Sequence, residues 1–265
     1  MSEPTALKHF FDERLANRLS DLIVQQYPSF PSKSFIQEVV ERIPSFELKG
    51  RVAVIADALH HTLPEDYPTA LRILSVILGP ENKTEEGMFT NGYFLMPIAY
   101  FVEKYGLEYV ELSLEALYEI TKRHTSEYAI RPYLTAHTDL CLAKLREWLD
   151  DPNPHVRRLV SEGTRTRLPW AKRISILHGD LTIHLGLLEP LLDDPSMYVR
   201  KSVANHLNDL TKEQAHQETI LIWLKQHARQ GGKHRKWIIR TGLRTLLKQG
   251  EPSIQEFLKE IGEYG

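Results

Sequence analysis

Two segments of the chain repeat one pattern at a spacing of 43 residues. Asp150-Asp151-Pro152-Asn153-Pro154-His155-Val156-Arg157 returns as Asp193-Asp194-Pro195-Ser196-Met197-Tyr198-Val199-Arg200. Ile239-Arg240 falls where Val199-Arg200 fell, 40 residues further on, as a weaker third copy. A period in the forties with a turn signal before each apolar stripe describes a helix pair that cannot bury its own face. Such units become stable only by stacking on their neighbours. The repeat therefore selects the architecture before any single helix is placed.

An Asp-Pro-x-x-x-Val-Arg unit of this length is the mark of HEAT-like repeats, and the expected fold is an all-α solenoid with one concave wall. Apolar residues recur at three and four along nearly the whole chain, which predicts helices over residues 7–26, 34–43, 49–61, 68–78, 92–105 and 108–124. In the second half they are predicted over 142–149, 154–164, 170–178, 183–192, 197–210, 217–227 and 237–248. Asn153 and Ser196 are placed as N-caps, with Pro154 at a first helical position. The polar stretch 81–87 reads as a loop. No segment alternates long enough to be a strand. A single domain over 1–265 is expected, less regular over 1–120, clearly repetitive over 121–250, and closed by a terminal helix in 251–265.

Cys141 is the sole cysteine, so no disulfide can form within the chain and a reducing compartment is expected. Acids interrupt the first residues, which excludes a secretory apolar region there, and no apolar run is long enough to span a bilayer. A cytoplasmic protein is the expectation. The net charge of −2 hides an asymmetry: residues 1–120 hold 10 Lys and Arg against 18 Asp and Glu, whereas 121–265 hold 23 against 17. A polyanion would be attracted by the second part alone.

Candidate chemistry concentrates in that part. Projected on their helices, Glu162 and Asp209 lie on the same flank of the two apolar stripes, at the border of the core. Glu162 also has Arg158 four residues before it and Arg165 three after, which fits an ordinary ion pair equally well. Asp209 has only Lys212 so placed. Residues 219–250 contain Lys225, Arg229, Lys233, Arg235, Lys236, Arg240, Arg244 and Lys248 and not one acid. That composition suits a phosphate backbone, and a solvated helix face is the alternative. Arg157, Arg158, Arg165, Arg167, Lys172, Arg200 and Lys201 extend the positive character, and Trp237 lies within it. Trp170, among arginines at a junction between helices, can stack on a base or plug the junction. Glu127, after Thr125-Ser126, is expected in a first helical turn. Twelve histidines yield no metal motif, and phosphate loops, dinucleotide fingerprints and nucleophile elbows are absent.

Thr125-Ser126-Glu127-Tyr128-Ala129-Ile130-Arg131-Pro132, Ser161-Glu162-Gly163-Thr164-Arg165, Leu168-Pro169-Trp170 and Asn205-His206-Leu207-Asn208-Asp209 together resemble the AlkC branch of bacterial HEAT-like-repeat DNA alkylation-repair glycosylases. The likeness extends to Met1-Ser2-Glu3-Pro4 and Lys8-His9-Phe10-Phe11-Asp12 and so runs over nearly the whole chain. The resemblance implies hydrolysis of the N-glycosidic bond of N3-alkylated adenine in duplex DNA. It implies Glu127, Glu162 and Asp209 as the functional acids and Trp170 beside the lesion. It also implies a concave wall as the DNA site and, from the related AlkD branch, catalysis without a deep base pocket. Longer members append an immunoglobulin-like domain, which this sequence does not reach, so DNA grip is expected from the repeats themselves.

Such chemistry requires neither metal nor organic cofactor. A cationic alkylpurine leaves without being protonated, and carboxylates suffice to stabilise the sugar cation and position water. The expectation is a monofunctional glycosylase of bacterial base-excision repair that acts as a monomer, in the cytoplasm at the nucleoid, on alkylated double-stranded DNA, with no membrane partner. Two other classes fit the same repeat: a non-catalytic binder of damaged or branched DNA, and a protein-binding scaffold.

Overall fold

The computed structural model describes residues 6–86, 92–232 and 234–262, and among them every regular element is helical. Backbone contacts divide the chain into two compact units, Met1–Ala136 and His137–Gly265.

The first unit contains α1 (Glu13–Gln26), α2 (Ser32–Arg42), α3 (Leu48–Thr62), α4 (Tyr67–Val76), α5 (Met96–Tyr105), α6 (Val110–Thr121) and α7 (Arg131–Ala136). Asp12 caps α1 by accepting from the amides of Arg14 and Leu15, and the expected helix from residue 7 is a short 3-10 turn before that cap. Each helix then turns its apolar stripe onto its neighbours, burying Phe11, Leu19, Phe35, Ile55, Leu74 and Phe101. Where α5 ends, the hydroxyls of Tyr67, Ser113 and Tyr133 crowd Gly106, and a Cβ there would lie 2.1 Å from the Tyr67 oxygen. Glycine is required at that point by space alone. The helix expected over 108–124 is α6, which stops at Thr121, and the short α7 follows a turn beyond the expected range.

The second unit contains α8 (Thr138–Trp148), α9 (Pro154–Gly163), α10 (Leu181–Leu188), α11 (Met197–Leu210), α12 (Gln214–Gln230), α13 (Arg235–Gly242), α14 (Arg244–Lys248) and α15 (Pro252–Glu260). Here α9 packs on α11 and α11 on α13, so the sequence repeat is a spatial stack. The two clear copies start identically. Asp151 accepts the amide of Asn153, whose side chain caps α9; Asp194 accepts the amide of Ser196, whose hydroxyl caps α11.

The arginines of the repeat turn inward. Arg157 holds both oxygens of Asp194 at 2.6 and 3.0 Å and the carbonyl of Asp151 at 2.7 Å. Arg200 donates to the carbonyls of Asp194 and Pro195, and Arg235 meets Asp193 at 2.6 Å. One turn is thus gripped from α9, α11 and α13. Arg157, Arg200 and Arg235, expected on a DNA surface, serve as repeat staples instead. For Arg235 the partner, Asp193, lies outside the acid-free stretch, so the composition of that stretch does not show the pairing.

The predicted helix over 170–178 does not form. Pro169 disfavours helical backbone at Leu168, and residues 164–176 run as turns and coil up to a 3-10 turn at Leu177–Gly179. This loop is closed at its base by the Ile174 amide on the Thr166 carbonyl. At its far end the amide of Leu177 donates to Nε2 of buried His184, whose Nδ1 lies 3.2 Å from Nε2 of His206. Because Nε2 of His184 accepts, its proton sits on Nδ1 and points to His206.

Burial, reinforced by His216, pushes His184 down to about 4 from the ordinary 6.5. A histidine depressed in the fold contributes stability that is complete above pH 6.5 and is lost as pH falls toward 4. Denaturant titrations should show a loss on the order of 3 kcal/mol over that window. His184→Phe should flatten it relative to the parent; equal pH slopes in the two proteins would assign the effect elsewhere.

Candidate functional site

The staples fix how α9 lies on α11, and that sets the distance between the acids each presents. Glu162 is in the last turn of α9 and Asp209 in the last turn of α11; both are buried. Arg165, two residues beyond α9, enters between them. Its Nη1 lies 2.6 Å from Oε1 of Glu162, while its Nε and Nη2 lie 2.8 and 2.7 Å from Oδ2 of Asp209. The guanidinium is buried, and although burial itself disfavours its charge, the two carboxylates hold its pKa above the usual arginine value. The two acids therefore meet on one shared cation, and Arg165 is a site residue of the interior, not a surface contact for phosphate.

The remaining oxygens are occupied as well. Ser202 of α11 donates to Oε2 of Glu162 at 2.5 Å and lies 3.0 Å from the Ser161 hydroxyl. Arg158 approaches Oε1 of Glu162 at 3.6 Å and covers the ring of Tyr198. Lys212 meets Oδ1 of Asp209 at 2.9 Å. The sequence displayed Lys212 three residues from Asp209, but the partner that matters more, Arg165, is 44 residues away. Ser202 carried no sequence signal as a site residue, and Arg244 was visible only as one cation of the acid-free stretch. Arg244, half-buried and bonded to Asn205, is lowered by its burial and by Arg165, while Asp209 raises it. A serine among repeat positions carries no signal of its own.

Trp170 is at the tip of the loop, 72% exposed, with φ +62°. Junction packing is ruled out for it. A bulky residue in the left-handed region costs roughly 1 kcal/mol, and this one buries little surface in return. Exposed Lys172 is on the same loop, and Arg167 pairs with Glu213 at 3.1 Å.

In the basic stretch, Lys225 pairs with Glu260 and Arg235 with Asp193, so its charge is less than its composition implies. Arg229, Lys236, Arg240 and Lys248 are exposed, as are Lys201 and Trp237. Lys233 lies outside the described residues. Glu127 belongs to the first unit, where it is buried in a turn preceding α7, not in a helix. The Thr125 hydroxyl donates to its Oε2 at 2.8 Å and accepts its amide. Among the described residues no cluster of three or more His, Cys, Asp or Glu could hold a metal, and no helix is long and apolar enough to cross a membrane.

A family model described as DNA alkylation repair enzyme matches residues 121–246. The uncharacterized protein YhaZ of Bacillus subtilis (strain 168) is 39% identical over 248 residues, which cover 92% of this chain and 66% of that protein. The solved structure of Pseudomonas fluorescens alkylpurine DNA glycosylase AlkC, bound to DNA containing an abasic site analog, superposes with a TM-score of 0.81 at 33% identity. That match covers 94% of this chain and 67% of AlkC, so the chain spans about two thirds of the length of the relatives it matches. The chain belongs to the DNA alkylation repair enzyme family, and its fold is that family's all-α helical repeat.

Arg165 is the member on which the two acids depend. Arg165→Met should cost about 3–5 kcal/mol, because it strands two buried carboxylates. Adding Glu162→Gln and Asp209→Asn should recover much of that loss. A single variant that melts with the parent would show that the acids find other compensation.

Proposed function

We propose that the protein is an alkylpurine DNA glycosylase that hydrolyses the N-glycosidic bond of cationic alkylpurines, N3-alkyladenine above all, in duplex DNA. The observation that carries this reading is the pair of buried carboxylates, Glu162 and Asp209, locked on one arginine within the more basic half of the chain. In a surface evolved only to hold phosphate, acids would repel the ligand. For a lesion that already carries its positive charge they have a use. As the bond to the base lengthens, charge moves onto the deoxyribose, and a fixed carboxylate stabilises that cation and orients the attacking water. The likeness to AlkC supports the same chemistry.

In this reading Asp209 faces the sugar and Glu162, held by Arg165 and Ser202, sets the field around it. Glu127, buried in the first unit, is a further candidate acid in its own right. Exposed Trp170 stacks against the lesion or the base beside it, and Arg229, Lys236, Arg240 and Lys201 meet the backbone. The work is done by a monomer without metal or cofactor, on DNA in the cytoplasm. Glu162 and Asp209 have their oxygens already held by Arg165, Ser202 and Lys212, which favours the second reading, a non-catalytic binder of damaged DNA.

Chromatography of bases released from methylated DNA separates the two readings. The parent should release 3-methyladenine, and Asp209→Asn should bind DNA normally yet release it about 100- to 1,000-fold more slowly in single turnover. Parental rates in the variant would remove Asp209 from the mechanism, and no release by the parent would leave the binder.

Trp170→Gly offers a check on recognition. Glycine adopts the left-handed conformation without strain, so the variant should melt at or above the parental temperature. Its excision should nevertheless fall by roughly 10-fold or more, since base–aromatic contacts are worth on the order of 1–3 kcal/mol. A variant that excises at the parental rate would make the loop a bystander.

A further inference from the structure

A reaction at Asp209 needs one of its partners to leave. The carboxylate is 2% exposed, and both oxygens are held. On Oδ2, Arg165 makes two contacts and is fastened to Glu162 as well, so its guanidinium is part of the buried framework. On Oδ1 the partner is Nζ of Lys212, at 2.9 Å, from a turn just past the end of α11. The Lys212 side chain is 32% exposed. It is a single ammonium on a flexible four-carbon stem, a form of cation that changes partners readily and is attracted to phosphate.

We propose that Lys212 is a counter-ion latch on Asp209. In the free protein its ammonium neutralises Oδ1, which at this depth would otherwise be an uncompensated buried charge. When a duplex docks, the ammonium passes to a backbone phosphate and Oδ1 turns to the deoxyribose. Charge is balanced on both sides: the carboxylate exchanges an ammonium for the cationic nucleoside, and the ammonium exchanges a carboxylate for a phosphodiester. No covalent bond forms or breaks. Lys212 is a positioning residue here, acting through Asp209, and its part in catalysis rests on the glycosylase reading. The latch accounts for what that reading by itself leaves open, how an acid with both oxygens taken can stabilise a new cation. It also makes the acid available only where DNA is present.

The ammonium can be followed directly by nitrogen NMR in lysine-labelled protein, with its signal assigned by its loss in Lys212→Arg. Adding a duplex that carries a cationic pyrrolidine analogue of the abasic sugar should shift it and introduce scalar coupling to phosphorus. A signal that keeps its free-state position in the complex overturns the latch. In parallel, Lys212→Met should weaken DNA binding several-fold and lower the slope of log K against log salt by about one, with the slope restored by Lys212→Arg. An unchanged slope in the Met variant overturns the proposal. Should that variant fail to fold, the ammonium signal and the Arg variant still decide. The two readings fail separately. Base release with the ammonium still on Asp209 removes the latch and keeps the glycosylase; phosphate coupling without base release removes the glycosylase and keeps the latch.

Discussion

One aspartate pair governs the geometry of the second unit. Asp193 and Asp194 occupy a turn that receives arginines from three stacked helices, Arg157 of α9, Arg200 of α11 and Arg235 of α13. Two of these bonds are charge-assisted and cross from one repeat to the next, so the stack is set by directional contacts as well as by apolar burial. Sliding α9 along α11 would break the Arg157 fork before it disturbed much packing. That rigidity keeps the ends of α9 and α11 in register, and without it Glu162 and Asp209 would not meet on one guanidinium.

The acid pair inverts the usual accounting of buried charge. Two carboxylates this deep would each carry a desolvation cost of several kcal/mol, and their mutual repulsion would add to it. Arg165 offsets both at once because its planar fork presents separate nitrogens to separate partners, which an ammonium at the same place could not do. Ser202 and Lys212 then complete the bonding of the outer oxygens. The division is unequal. Glu162 is surrounded by buried partners, while Asp209 has one partner that reaches solvent, and the two acids are for that reason not interchangeable.

How much of this was legible depended on whether the signal was local. The helix pairs, the caps at Asn153 and Ser196 and the shared flank of Glu162 and Asp209 all follow from short-range patterns, and the structure agrees with them. The failures were of two kinds. A run of cations suggests DNA for Arg157, Arg200 and Arg235, but the aspartates of Arg157 and Arg235 are distant in sequence, and the bonds of Arg200 to main-chain carbonyls leave no mark in composition. Residues 170–178 looked helical because their apolar spacing is acceptable, whereas the backbone is decided by Pro169 and by a hydrogen bond to His184 from a later helix. Asp209 shows only Lys212 beside it in the sequence, and the structure adds Arg165, which reaches it from the end of the preceding repeat helix α9. Tertiary ion pairs leave no periodic trace.

The loop between α9 and α10 has a thermodynamic consequence. It holds two non-glycine residues in left-handed backbone, Trp170 and His178, and is tied at Thr166 and Leu177. Each of these features removes conformations that a free loop of this length would sample. The ordering entropy is therefore spent when the chain folds, once, and is not charged again at each encounter. The backbone that carries Trp170 is thus placed by folding itself, with no search left to the loop.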